Sequence, residues 1–218
     1  MSSSKKVLIG VLGVQGDIEE NLTAARNALK DMQVAGEATR VLYPEQIEGV
    51  DGLILPGGES TVISSLITIH HGGIFQVIKK VISNGLPALG TCAGMIMLSR
   101  RAYDRVVGET KQQLLGNLDV EVERNAFGRQ SQSFEADLEV PFIGKGSFRG
   151  VFIRAPVVKK VGNDVEVLTK IDDKIVGVRQ NNIIATAFHP ELSGDTRFHR
   201  EFIKSVVKLK YDREKLNN

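Results

Sequence analysis

Leu86-Pro87-Ala88-Leu89-Gly90-Thr91-Cys92-Ala93-Gly94 runs from a short apolar segment into a helix-like stretch and carries the only cysteine of the 218 residues. A sharp strand-to-helix turn lifts one side chain clear of a sheet, and the glycines at 90 and 94 let the backbone turn tightly and admit a substrate. The stretch reads as a nucleophile elbow with sulfur where serine is usual. A lone cysteine in an intracellular protein is more often a small, inert core residue. The surrounding chain has to decide between the two.

Toward the N-terminus, Val7 to Val14 is nearly continuous apolar sequence that breaks at Gln15-Gly16-Asp17, after which Ile18, Leu22, Ala25 and Leu29 recur at helical spacing. This predicts a buried strand feeding a helix capped near Asp17. A second strand is predicted over Thr39 to Leu42, a helical turn from Pro44, and a third strand over Gly52 to Leu55 running into Pro56-Gly57-Gly58-Glu59-Ser60. Two glycines at the mouth of a helix expose backbone N–H groups that can hold an oxyanion. The plainer alternative is a βα turn with Ser60 or Thr61 as N-cap. Thr61 to Ile69 and Ile74 to Ile82 are predicted helices, and Asn84-Gly85 is a left-handed cap before Pro87. His70 and His71 between those helices point to different faces and read as a solvated helix end, not a metal site.

Strand and helix alternate here, with glycine-rich loops at the strand C-terminal ends. The predicted fold is therefore α/β, a flavodoxin-like open, mostly parallel sheet flanked by helices on both faces. Ligands in such sheets bind beyond the carboxyl ends of the strands, where Cys92 and Gly57-Gly58 both fall.

Beyond Leu98 the character changes. Arg100 to Gln113 is charged with little periodicity and reads as a surface excursion. Leu118 to Glu123, Phe134 to Val140, Gly150 to Ile153, Val165 to Ile171, Lys174 to Gln180 and Ile183 to Phe188 read as strands, with hairpin signals at Asp172-Asp173 and Asn181-Asn182. An antiparallel section in the C-terminal half is expected. The last strand ends in Phe188-His189-Pro190-Glu191, and Asp195 to Lys210 follows as an amphipathic helix with Phe198, Phe202, Val206 and Leu209 on its apolar face.

The bulk properties fit this reading. The length suits a single domain over residues 1–218, with residues 1–6 a flexible polar lead-in and 211–218 a frayed tail. With 42% hydrophobic and 25% charged residues, the composition is that of an ordinary soluble α/β protein. A net charge of +2 gives no footprint for nucleic acid or an anionic membrane. One cysteine excludes an intramolecular disulfide framework, and no apolar run approaches the roughly 20 residues of a membrane span. No signal peptide is legible, and the cytoplasm is the expected location.

A cysteine becomes a strong nucleophile as the thiolate, which a helix N-terminus or a nearby imidazolium favours. The helix after Cys92 offers the first. His189 offers the second if the two strand ends are neighbours, with Glu191 holding the imidazole as the third member of a triad. His and Glu ending a strand are most often surface residues, so the weight lies in the joint occurrence of elbow, glycine-rich loop and His-x-Glu.

These residues carry a resemblance. Gly90-Thr91-Cys92-Ala93-Gly94 with His189-Pro190-Glu191 resembles the triad-type class I glutamine amidotransferases. Within them, Val11 to Asp17, Leu55 to Thr61, Glu123 to Gln130, Ser133 to Ala136, Val151 to Pro156 and Phe188 to Leu192 resemble the blocks of one family, the glutaminase subunits of pyridoxal phosphate synthase. The resemblance implies hydrolysis of L-glutamine to glutamate and ammonia, with Cys92 as nucleophile, His189 as acid and base, and Glu191 orienting it. It implies an oxyanion hole from the N–H groups of Gly58 and Ala93, joined by Gln15 and Gly16 when a partner docks. It implies substrate contacts from Gly58, Glu59, Ser60, Arg124, Ile153 and Arg154. An Arg fork suits the α-carboxylate, and Glu59 can meet the α-ammonium. Arg129 has no implied role and reads as a surface charge.

The implied partner is the (β/α)8-barrel synthase subunit, which combines the ammonia with a pentose phosphate and a triose phosphate, so low activity in isolation is expected. No metal or cofactor is implied. The sequence departs from the family in Arg100 to Gln113 and Glu139 to Arg149. Two other readings stay open at this point: a different cysteine hydrolase of peptidase or deglycase type on the same scaffold, and a non-catalytic amidotransferase-like regulatory module.

Overall fold

The computed structural model describes residues 6–70, 73–104, 108–128 and 133–216. Its sheet starts from the apolar runs. β1 (Val7–Leu12), β2 (Gly36–Val41), β3 (Gly52–Leu55), β4 (Ala88–Thr91) and β13 (Ile183–Thr186) lie in the order β2-β1-β3-β4-β13, all parallel. Every residue of β3, β4 and β13 is buried, as expected of strands covered on both faces. The chain reverses its direction of growth between β1 and β3. That switch point opens a crevice at the carboxyl ends of the strands.

Helices close both faces. α1 (Ile18–Asp31) packs on the C-terminal α6 (Arg197–Leu216), α2 (Pro44–Glu48) packs on α4 (Ile74–Ser83), and α3 (Ser60–Ser65) packs on α5 (Ala93–Leu98). The Phe198, Phe202, Ile203 and Val206 face of α6 is fully buried. This helix reaches Leu216, so Tyr211 to Leu216 continue it where a frayed tail was predicted. Residues 1–5 and 217–218 lie outside the described residues, as do His71 and Arg129.

The antiparallel section extends the same sheet. β12 (Lys174–Gln180) pairs with β13 on one side and with β10 (Val157–Val161) on the other; β10 pairs with β7 (Leu118–Glu123), and β11 (Glu166–Ile171) also pairs with β12. Asp172 and Asn181 take φ of 51° and 52° at the two predicted hairpins, a region that Asn and Asp tolerate best. β10 has no counterpart among the predicted strands.

The surface excursion predicted over Arg100 to Gln113 is corrected by the structure over Arg100 to Asp104 and Gly108 to Glu109; residues 105–107 lie outside the described residues, and Thr110 to Gln113 form no strand or helix. β5 (Ser99–Asp104) joins the sheet parallel to β7, and β6 (Gly108–Glu109) pairs back on it. Arg100 and Arg101 are neutralised across the strands by Asp119 and Glu121. Their charge reflects a paired sheet edge, not a loop. The helix predicted over Thr61 to Ile69 is α-helical only to Ser65 and widens to a π turn over Leu66–His70. Glu59, not Ser60 or Thr61, sits at its N-cap.

β8 (Ser133–Leu138) and β9 (Phe148–Ile153) form a separate antiparallel ribbon. Aromatic rings anchor it: Phe134 stacks on Phe152 at 4.6 Å, Phe152 meets Phe188 at 5.4 Å, and Phe188 meets Phe198 of α6 at 5.4 Å. His189 N–H donates to Val151 O at 2.8 Å. The ribbon end that carries Ile153 and Arg154 is thereby fixed over the carboxyl end of β13.

His199 on α6 is fully buried, and neither ring nitrogen has a hydrogen-bond partner among the described residues. Burial pushes its pKa down to about 4. The unfolded chain, with an ordinary value near 6.5, then binds the proton more readily, so stability falls as pH drops from about 7 to 4. The loss is about 3 kcal/mol for a shift of this size. Urea denaturation at pH 7 and pH 4 is expected to show that loss in the wild-type chain and its absence in His199→Leu.

Candidate active site

The nucleophile elbow is built by close approach of backbones. Cys92 follows β4 with φ 48° and ψ −101°, and its N–H donates to Thr186 O of β13 at 2.8 Å. A strained residue of this kind persists only where its surroundings over-determine it. Gly94 provides the surroundings: a Cβ there would lie 2.0 Å from Leu55 O, so only glycine lets α5 lie this close to β3. Cys92 is 6% exposed, and its Sγ lies 3.8 Å from Ile153 O. Ala93 is the first residue of α5, so its N–H has no acceptor within its own helix.

His189 follows β13 and lines the same cavity as Cys92. Its Nδ1 meets Glu191 Oε1 at 2.9 Å and Asp17 Oδ2 at 3.0 Å. With Nδ1 engaged by carboxylates, Nε2 is the nitrogen left for the thiol. The Glu191 side chain is wholly buried, and Thr91 Oγ1 donates to the same Oε1 at 3.4 Å. Burial lowers the affinity of His189 for a proton, but the Asp17, Cys92 and Glu191 side chains around the ring outweigh it, and the pKa is pushed up to about 12. These neighbours favour the imidazolium form.

The loop after β3 forms the opposite wall. Gly57 O accepts from Asp17 N–H at 3.1 Å, and Gln15 Oε1 accepts from Glu59 N–H at 2.9 Å, so the Gln15-Gly16-Asp17 loop is latched onto the glycine-rich turn. The trans peptide that turns Gly57 O toward Asp17 turns the Gly58 N–H away from it. Across the pocket, Arg124 Nη2 and Glu59 Oε1 form an ion pair of 2.9 Å. Ser60 Oγ donates to Gln112 Oε1 at 3.2 Å, inside the segment predicted as an excursion.

Of the predicted site residues, Gln15, Gly58, Glu59, Ser60, Cys92, Arg124, Ile153, Arg154 and His189 line one cavity of about 230 Å³. Glu191 lies behind the histidine, Ala93 at the helix mouth, and Gly16 against the Gly57 backbone. The cavity is smaller than the 300–1,000 Å³ typical of drug-sized ligands and suits a small charged metabolite. Three lining residues, Asp17, Ile96 and Asn125, escaped the sequence reading. Asn125, with φ 51°, follows Arg124, and Asp17 was read only as a helix cap. The position of Asp17 in the loop after β1, beside the switch point, was the available signal.

Comparison with known proteins defines the class first. A solved structure described as a glutamine amidotransferase is 44% identical, covers 91% of this chain and 98% of its own, and superposes with a TM-score of 0.78. The PurLQS structure from Thermotoga maritima, 17% identical with a TM-score of 0.61, shares the fold. Within that class the chain belongs to the SNO glutamine amidotransferase family, whose pattern matches residues 11–208. Curated relatives include the "pyridoxal 5'-phosphate synthase subunit PdxT" of Nitrosopumilus maritimus, 45% identical over 93% of this chain and 98% of that protein. The protein of the same name from Pyrococcus furiosus is 48% identical over 92% and 100%.

Proposed function

We propose that this protein hydrolyses L-glutamine to L-glutamate and ammonia through a thioester on Cys92. It passes the ammonia to a (β/α)8-barrel synthase subunit that makes pyridoxal phosphate. Membership of the SNO family and relatives named as pyridoxal phosphate synthase subunits support this reading. The observation that carries it is that Cys92 and His189, the latter bonded to Glu191 at 2.9 Å, line one cavity with both signs of charge on its walls.

The proposed steps assign one task to each of these groups. The sulfur of Cys92, as thiolate against imidazolium, attacks the side-chain amide carbon of glutamine. The oxyanion is held by the N–H groups of Gly58 and Ala93, with Gln15 and Gly16 completing the site when the partner docks. Each donor contributes about 3 kcal/mol to the transition state. His189 Nε2–H protonates the departing nitrogen as the C–N bond breaks, leaving ammonia, a thioester and neutral imidazole. The imidazole then takes a proton from water, hydroxide attacks the thioester, and glutamate leaves as the sulfur recovers its charge. Glu191 keeps Nδ1–H in place throughout.

Arg124 and Arg154 receive the α-carboxylate and Glu59 the α-ammonium, with Ser60 and Ile153 closing the wall. The Arg124–Glu59 pair is consistent with two groups that exchange each other for the two ends of a zwitterion. Among the described residues no single helix is long and apolar enough to cross a membrane, and a cytoplasmic location belongs to the proposal, as does a single domain over the whole chain.

The test is ammonia release from L-glutamine by the protein alone and with the synthase subunit, with pyridoxal phosphate formation followed in parallel. A strong rise on adding the synthase supports the reading. No ammonia from glutamine in either condition rejects it.

A further inference from the structure

Asp17 occupies the N-cap of α1 but makes no capping hydrogen bond from its side chain. An Asp at this position ordinarily accepts from the N–H of the second or third helical residue. Here the carboxylate turns away from the helix and reaches His189 Nδ1 at 3.0 Å, with its side chain 34% exposed. Nδ1 carries one hydrogen, and Glu191 Oε1 stands 2.9 Å from it on another side. A triad needs one carboxylate at this atom, and this ring has two.

The room for the second is made by Gly57. A Cβ there would stand 2.3 Å from His189 Cε1 and 2.8 Å from Asp17 Oδ2, so the glycine admits both groups to one spot. The Asp17 N–H is in turn bonded to Gly57 O. The charged or titratable groups that face the ring are Asp17 from the β1–α1 loop, Cys92 from the head of α5 and Glu191 from the turn after β13. Glu59, Arg124 and Arg154 line the same cavity.

Resting on the glutaminase reading above, we infer that Asp17 is a positioning residue for the reaction: its carboxylate stands beside Glu191 at Nδ1 of His189, stabilises the imidazolium by its charge and ties the Gln15-Gly16-Asp17 loop to the reacting ring. Two consequences follow. The proton that His189 delivers to the departing nitrogen is retained to higher pH than one carboxylate would allow. Any displacement of the loop alters the charge state of His189 as well as the shape of the oxyanion site.

The substitution Asp17→Asn separates charge from contact, because the amide keeps the size and place of the side chain while the negative charge is gone. In the complex with the synthase, the alkaline limb of kcat/KM against pH is expected to move down by at least about one unit, the scale of one close charge partner on a histidine. Asp17→Glu is expected to restore part of it. The side-chain ¹⁵N resonances of His189 in the free protein, titrated without turnover, are expected to move from imidazolium to neutral at lower pH in Asp17→Asn by a similar amount. Coincident titrations and coincident alkaline limbs in wild type and Asp17→Asn would overturn the inference. A shifted His189 titration in a protein that releases no ammonia from glutamine with the synthase present would instead overturn the glutaminase reading and, with it, the role assigned to Asp17.

Discussion

Cys92→Ala is expected to lower ammonia release from L-glutamine, with the synthase present, by at least about 10⁴-fold. Removing the nucleophile from a relay that acts as a unit costs nearly as much as removing the whole relay, and only the residual effect of binding and oxyanion stabilisation remains. Cys92 is small, and the close approach at the elbow is made by Gly94 against the Leu55 backbone rather than by the sulfur, so alanine fits the elbow without repacking. The melting temperature should therefore change little while activity disappears. Retained ammonia release in a correctly folded variant would remove Cys92 from the reaction. An intact assembly with the synthase, supplied with ammonium salt in place of glutamine, should still form pyridoxal phosphate, which separates loss of glutaminase from loss of docking.

The second large effect is expected at a residue with no side chain. Gly57→Ala would put a methyl group 2.3 Å from His189 Cε1, a distance real Cβ contacts do not reach, so ring or loop must shift. A displacement of about 1 Å in a catalytic group costs on the order of 10²-fold, and kcat/KM for glutamine is expected to fall by that much or more. The fall should appear mainly in kcat, because Arg124, Arg154 and Glu59, which meet the ends of the substrate, lie away from the methyl group. A variant with wild-type kcat/KM would show that His189 has slack at this face and that the crowding around Nδ1 has no catalytic consequence.

The parallel half of the fold was legible because buried strands write themselves as apolar runs. Val7 to Leu12, Gly52 to Leu55 and Ile183 to Thr186 need no partner information to be recognised. The hairpins at Asp172 and Asn181 were legible for a local reason, since both take positive φ. The edge of the sheet was not. Arg100 and Arg101 look like loop charges until their partners Asp119 and Glu121 are brought alongside by the parallel pairing of β5 with β7. The π turn over Leu66–His70 was equally hidden, since its apolar spacing also fits an ordinary helix.

The candidate site divides in the same way. Cys92, His189 and Glu191 stand out because each ends a strand in a residue with chemistry to perform. Asp17 does not stand out, because Asp before a helix has a sufficient local explanation as a cap. Only the fold reveals that its carboxylate is used elsewhere, on a histidine contributed by the far end of the chain. The roles of Glu59 and Arg124 toward the two ends of an amino acid came from the family resemblance alone, and their mutual ion pair was not legible.

The most direct test of the account is to treat the complex with a glutamine-derived electrophile that carries a diazoketone in place of the side-chain amide, and to map the adduct by mass spectrometry. The account predicts a single adduct on Cys92, slowed by L-glutamine and absent in Cys92→Ala. An adduct that forms elsewhere, or one on Cys92 that L-glutamine does not slow, would contradict the claim that this cysteine attacks glutamine.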